Sequence, residues 1–228
     1  MRKKQAGKRF QEAEKLVDKN KAYSLIEAVA LLKKMPATKF NQTVDLIFHL
    51  NIDTKKTDQL VRGTVTLPHG TGKTVRVAVF CKGEHEKEAQ AAGADYIGGV
   101  ELIEKVAGGF MDFDSAVATP EMMKDLSRLG KILGPRGLMP SPKTGTVTNN
   151  VAQAVKDIRG GKIEFKVDKQ GGIQVPVGKI NFTEAEIIDN ASKILEAIKA
   201  SRPTTVKGDF IKSISISASM SPGCTLEL

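Results

Sequence analysis

Two kinds of hydrophobic pattern divide this chain. Near the start, Val44, Leu46, Phe48 and Leu50 share one face with Asp45 and His49 opposite. Val61 to Leu67 repeats the alternation, so both segments predict half-buried strands, separated by a polar loop from Asn51 to Leu60. The pattern returns near the end, where Ile163 to Val167 and Ile173 to Val177 predict strands joined by a Lys169-Gln170-Gly171-Gly172 turn. Ile214, Ile216, Ala218 and Met220 alternate with Ser213, Ser215, Ser217 and Ser219, which predicts a last strand with a row of hydroxyls on one face. Helices are marked by their caps. A weak helical pattern runs from about Phe10 to Val17. Ser24-Leu25-Ile26-Glu27 reads as a capping box opening a helix to about Met35, before Pro36. Thr183-Glu184-Ala185-Glu186 reads as a second, and its helix carries Ile187, Ala191, Ile194, Leu195 and Ile198 at helical spacing.

Between these stretches the character differs. Val75 to Phe80 is a short, nearly continuous apolar run, as a strand covered on both faces requires. A helix from about Glu84 to Ala92, a strand at Tyr96–Ile97, a helix from Glu101 to Val106 and a strand from Ser115 to Ala118 follow. Thr119-Pro120-Glu121 opens another helix, predicted to stop at Gly130. Gly130 to Thr148 reads as an exposed basic loop, and Asn150 to Arg159 as a last helix ending at Gly160-Gly161. Alternating strands and helices at this spacing predict a small parallel sheet with helices on both faces.

Charge sharpens the division. The 228 residues carry a net +9, with 40% hydrophobic and 27% charged residues, enough to bury a core. Residues 68–159 hold 12 Lys and Arg against 11 Asp and Glu, whereas 1–67 and 160–228 together hold 23 against 15. Nearly all the excess sits in the two ends, spread over Lys39, Arg62, Lys166, Lys169, Lys207 and Lys212. If the ends fold together around an inserted middle, the end domain is the polyanion binder. Gly70 and Gly72, with Gly160 and Gly161, would let the middle swing as a rigid body. Trp is absent and Tyr numbers two, which argues against an aromatic-caged ligand. No apolar run approaches a membrane span, since Leu25 to Leu32 is broken by Glu27. The basic start (Arg2, Lys3, Lys4, Lys8, Arg9) has no apolar segment behind it, so it is no secretory signal. Cys81 and Cys224, far apart, read as incidental thiols of a reducing compartment.

No catalytic constellation is legible. Gly72-Lys73-Thr74 resembles the end of a phosphate-binding loop, but the partner glycine is replaced by Leu67 and a strand follows instead of a helix. A Rossmann-like nucleotide-binding protein is therefore a weak rival reading. Gly134-Pro135-Arg136-Gly137 fits a backbone-clamping GxxG loop or a plain turn, within a basic stretch that includes Lys131 and Lys143. His49, His69 and His85 are isolated; Cys81 and His85 form a pair that nothing completes into a metal site. Asp112 and Asp114 read as an exposed acidic turn. The serine row fits a solvated sheet face, or hydroxyls contacting phosphates and ribose 2′-OH groups.

The run Leu129-Gly130-Lys131-Ile132-Leu133-Gly134-Pro135-Arg136-Gly137-Leu138-Met139-Pro140, continued through Thr148, resembles the signature of the lateral-stalk family of large-subunit ribosomal proteins, the universal "L-one" family. Three further blocks are similar, in the family's order: Val61 to Lys73, Ala92 to Gly99, and Pro176-Val177-Gly178-Lys179. The resemblance implies an α+β split domain formed by both termini, with an inserted α/β three-layer Rossmann-like domain. Their bounds would be 1–67 with 160–228, and 68–159, with hinges near 67–72 and 158–162. It implies a non-enzymatic constituent of the 50S subunit in the cytoplasmic ribosome, without cofactor, metal or membrane. Its partners would be the lateral-stalk region of 23S rRNA, exit-site tRNA whose release it assists, and a leader in its own mRNA that it represses. The RNA face implied by the matching motifs is Lys39, Phe40, Thr43 and Asp45, with Asp45 in place of the family's Glu, together with Lys166 and Lys169. The family's Thr-Met-Gly stands here as Ser219, Met220 and Ser221, and a glycine at 221 would permit close RNA approach or a positive φ that Ser resists. A general RNA chaperone outside the ribosome is the second rival.

Overall fold

The computed structural model describes residues 7–18, 21–54, 56–206 and 208–227. The helices are α1 (Lys8–Glu14), α2 (Leu25–Lys34), α3 (Glu84–Ala91), α4 (Val100–Ala107), α5 (Met123–Leu126), α6 (Gly130–Leu133), α7 (Val151–Arg159) and α8 (Glu184–Ala200). The strands are β1 (Thr43–Leu50), β2 (Arg62–Thr66), β3 (Val77–Phe80), β4 (Tyr96–Gly98), β5 (Ser115–Ala118), β6 (Lys162–Lys166), β7 (Gly172–Lys179), β8 (Ile211–Ala218) and β9 (Cys224–Leu226). The protein is a mixed α/β structure with several sheets. Its contacts cluster into two units, residues 1–72 with 163–228, and residues 73–162. No described helix is long and apolar enough to cross a membrane.

The first unit is built on an antiparallel sheet in the order β7-β1-β8-β9. Alternation in β1 sends Val44, Leu46, Phe48 and Leu50 to one face, each at most 1% exposed. They meet Ala28, Val29 and Leu32 of α2 and Ile187, Ala191, Ile194 and Ile198 of α8 in one core. α8 starts at a complete capping box, in which Thr183 Oγ1 accepts from Glu186 N–H and the Glu186 carboxylate accepts from Thr183 N–H. The box expected at α2 is only half formed. Ser24 Oγ accepts from Glu27 N–H, but the Glu27 carboxylate lies 3.9 Å from Lys21 Nζ, a competing charge. β2 pairs with β6 as a separate ribbon. A Cβ on Gly63 would lie 2.6 Å from the tip of the buried Phe165 ring, so this crossing requires glycine. Asn190 of α8, fully buried, donates to the carbonyls of Gly70 (3.0 Å) and Val177 (2.8 Å) and accepts from His69 N–H (3.2 Å). It pins the segment after β2 to this unit.

The second unit is a parallel sheet in the order β4-β3-β5. β3 is buried on both faces. Val77, Val79 and Cys81 join α3 and α7, while Ala78 and Phe80 join α4, α5 and α6. The helix predicted to stop at Gly130 does not. α5, a 3-10 turn over Ser127–Leu129 and α6 carry the chain to Leu133, because Met122, Leu126, Leu129 and Leu133 continue one buried stripe. The chain turns at Gly137, whose φ is +71°, with Leu138 N–H donating to Leu133 carbonyl (3.0 Å). Nor is all of Gly130 to Thr148 an exposed loop. Thr144 is buried, the Thr144 and Thr146 hydroxyls lie 3.0 Å apart over Ser141, and Val147 bridges Ala118 in parallel. Here the hydroxyls of Thr144 and Thr146 are satisfied by Ser141 and by each other, while Lys131, Arg136 and Lys143 stay exposed.

Candidate nucleic-acid interface

The inner face of the β7-β1-β8-β9 sheet is packed with helices; the outer face is polar. Strand register lines it up in rows. Asp45 stands opposite Pro176 and Ser217, Ile47 opposite Gln174 and Ser215, and His49 opposite Gly172 and Ser213. The serine row therefore flanks the outward residues of β1, with Ser213 and His49 exposed and the rest half-buried.

At one end of this face the sequence-nominated residues come together. Thr43 and Ser219 are tied across β1 and β8. Ser219 N–H donates to the Thr43 carbonyl (2.9 Å), and Thr43 N–H donates to Ser219 Oγ (3.2 Å). Lys179 Nζ donates to Thr43 Oγ1 (2.8 Å). Asp45 accepts from Gln174 Nε2 (3.4 Å); burial outweighs that bond and the charge of Lys179, holding its pKa above the ordinary carboxylate value. Lys39 and Phe40 lie in the loop leading into β1, both exposed, with Phe40 53% accessible.

Met220 departs from its predicted place. The alternation Ile214, Ile216, Ala218 leads to an inward residue 220, but β8 ends at Ala218. Met220 instead takes φ +64°, the only non-glycine among the described residues with positive φ, and exposes 68% of its surface. The turn around it is tied down. Ser221 N–H donates to the Ala218 carbonyl (3.0 Å), and Ser221 Oγ accepts from Ala218 N–H (2.9 Å). Arg9 Nη2 of α1 donates to the Met220 carbonyl (3.2 Å). The left-handed residue is thus 220, not 221, and Ser221 supplies a hydrogen bond that glycine could not. Strain held in place by surrounding bonds is a mark of a site at which a side chain is presented. Arg9 and Lys179 were not among the nominated residues. Their only sequence signals were a basic start and a lysine in a family block, and neither says what the side chain reaches.

Lys166 and Lys169 are not part of this cluster. Lys166 ends β6, and Lys169 lies in the turn before β7, whose first residue, Gly172, pairs with His49. That is the opposite end of β1 from Thr43, about 20 Å away at a strand's rise per residue. Both are exposed, as are Lys39 and Lys212, and none of the four is ion-paired among the described residues. Arg62 is different, because its Nε donates to Glu164 at 2.6 Å. Lys207 lies outside the described residues. The contact-defined first unit holds 22 Lys and Arg against 15 Asp and Glu, the second 13 against 11.

The rival chemistry finds little in the geometry. Lys73 Nζ is bonded to Asp114 (2.7 Å), which also accepts from Arg76 Nε (3.2 Å), and a strand follows rather than a helix. The Lys73 bond, with Arg76 beside it, lowers the Asp114 pKa to about 2, so the acidic turn is an ion-pair cluster. Burial raises the Cys81 thiol to about 11, the state of an inert core cysteine.

Residues 32–222 match the model of the "Ribosomal protein L1p/L10e family". The chain belongs to that family. Among its relatives named "Large ribosomal subunit protein uL1", one from Bifidobacterium longum subsp. infantis is 53% identical over 220 residues, 96% of each chain. One from Bifidobacterium adolescentis is 50% identical over 98% of this chain and 97% of the relative. A third, from Acidothermus cellulolyticus, is 52% identical over 97% of this chain and 92% of the relative. The family is one of ribosomal proteins.

Proposed function

We propose that this chain is a structural constituent of the large ribosomal subunit that binds 23S rRNA to form the mobile lateral stalk. In this reading residues 1–72 and 163–228 are the split, basic RNA-binding domain, and residues 73–162 are the inserted Rossmann-like domain. The match to relatives named as large-subunit proteins, over 96% and 98% of the chain, supports the setting. The observation that carries the site is the strained, exposed Met220 turn tied to Thr43 beside Lys179 and Arg9. Lys39, Lys179 and Arg9 would meet phosphates. Asp45 and the hydroxyls of Thr43, Ser219 and Ser221 would meet 2′-OH groups, which separate RNA from DNA. Phe40 and Met220 would give apolar contact to sugars and bases. Lys166 and Lys169 would reach a second stretch of the same RNA across the sheet. Exit-site tRNA release and repression of the protein's own mRNA belong to the same reading, since a leader imitating the rRNA fold would occupy the same face.

The test is binding of the full chain to a folded rRNA stalk fragment and to an unrelated duplex of equal length, across a salt series. Retention of the stalk fragment at salt that strips the duplex is the expected result. If both fall on one steep line, net charge explains all the binding and the site assignment fails.

A further inference from the structure

The interface above leaves unused the run of residues most characteristic of the sequence, 129–143, which lies in the second unit. Its surroundings show charge segregation. Residues 124–143 carry five basic side chains and one acidic one, while the rest of the unit, 73–123 with 144–162, carries eight against ten. A unit close to neutral has gathered its positive charge into one segment.

The fold arranges that segment as a stripe. Met122, Leu126, Leu129 and Leu133 bury one side of the α5 to α6 run, and Lys124, Arg128 and Lys131 stand exposed on the other at i, i+4 and i+7. At a rise of about 1.5–2 Å per residue through the α and 3-10 turns they are spaced roughly 6–8 and 5–6 Å along the axis, comparable with the step between phosphates along a nucleic-acid strand. Arg136 extends the row from the turn that Gly137 closes, so a rigid backbone carries it. None of the four makes an ion pair among the described residues. The one acidic residue in the segment, Asp125, lies 3.9 Å from Lys82. The stripe also lacks an apolar anchor, for Val100 is the only large hydrophobic side chain strongly exposed in this unit among the described residues. A protein partner would be held by buried aromatic or aliphatic anchors. Unpaired cations in a row, without such anchors, suit the sugar-phosphate backbone.

We infer that Lys124, Arg128, Lys131 and Arg136 form a second RNA-contact surface, which grips the backbone of a further RNA duplex without reading its sequence. The inference rests on the RNA-binding reading of the first unit and adds a separate site to it.

The test uses the full chain saturated with the rRNA stalk fragment and titrated with a labelled, unrelated short RNA duplex. The expected result is that the Arg128→Gln/Arg136→Gln variant loses about tenfold in duplex affinity at low salt, and that its log–log salt slope falls by roughly two, near 0.9 per lost phosphate contact. Its affinity for the stalk fragment should stay within about twofold, because that contact lies in the other unit. Lys124→Gln/Lys131→Gln, on the same stripe but away from the glycine turn, should behave alike. Unchanged duplex binding in both variants overturns the inference, as does equal loss of the stalk fragment. Displacement of the duplex by a poly-glutamate peptide at equal charge overturns it too, in favour of an acidic protein partner. If the stalk fragment itself does not bind, the first reading has failed; the duplex titration, run on the free chain, still decides the second.

Discussion

Replacing Met220 by glycine should stabilise the protein and weaken its hold on RNA. A non-glycine residue in the left-handed region costs about 1–2 kcal/mol, which glycine at φ +64° avoids. Glycine returns about 0.5–1 kcal/mol of that through the freedom it loses on folding. The Met220 side chain is 68% exposed, so its removal forfeits little packing. The net is a gain of roughly 0.5–1 kcal/mol. Amide exchange reads it locally. Ser219 N–H, bonded to the Thr43 carbonyl, and Ser221 N–H, bonded to the Ala218 carbonyl, should exchange about two- to five-fold more slowly in Met220→Gly. Affinity for the stalk fragment should fall about tenfold, or about 1.4 kcal/mol, half or more of the roughly 1.5–3 kcal/mol that a fully buried Met side chain contributes. Met220→Ala separates the two effects, since it keeps the strain and removes the contact. Its exchange should match wild type while its affinity falls as in the glycine variant. Faster exchange in Met220→Gly would mean that the side chain is structural. Unchanged affinity in both variants would remove Met220 from the RNA face.

Three other outcomes are expected. Lys166→Glu/Lys169→Glu should weaken binding to the stalk fragment by at least tenfold and flatten its salt dependence, measured by filter binding; an unchanged slope would place both lysines off the RNA. Asp114→Asn should destabilise the second unit by about 1 kcal/mol at neutral pH, discounted for the partial exposure of the pair. Because the folded carboxyl titrates near 2, below its ordinary value of 3.8, that stabilisation is present above about pH 4 and lost as pH falls towards 2. Urea unfolding should show the variant and wild type converging over that interval, and a constant gap would refute the pairing. Asn190→Leu should cost about 2–4 kcal/mol, since it leaves the carbonyls of Gly70 and Val177 and the N–H of His69 without their partner. A thermal midpoint within a degree of wild type would show that these groups find other partners.

What the amino-acid order determined by itself was local. The period-two pattern of β1 and the helical stripe of α8 name their own buried faces, because a side chain's direction follows from its place in a strand or helix turn. The Thr183 to Glu186 box formed as written, since both its partners lie within one turn. The identical logic at Ser24 met a competitor, Lys21, that no capping rule contains. Gly130 shows the same limit from the other side: a residue that ends helices in isolation sits inside one here, because Leu129 and Leu133 had a core to reach.

The candidate site lay mostly beyond that reach. Motif likeness could nominate Thr43 and Ser219, but 176 residues separate them, and only the pairing of β1 with β8 makes them hydrogen-bond partners. Arg9 of α1 and the Met220 carbonyl, 211 positions apart, are likewise brought together only by the tertiary fold. The pairing of β1 with β7 instead carries Lys169 to the far end of the face. The alternation through Ala218 pointed Met220 inward; the hydroxyl of Ser221 and the guanidinium of Arg9 hold the turn that points it out. Charge in the chain is a sum, whereas tertiary structure decides which charges are spent on one another, as with Arg62 on Glu164 and Lys73 on Asp114, and which remain free to meet a phosphate. Contacts between residues distant in sequence depend on strand order and register, which no local pattern encodes.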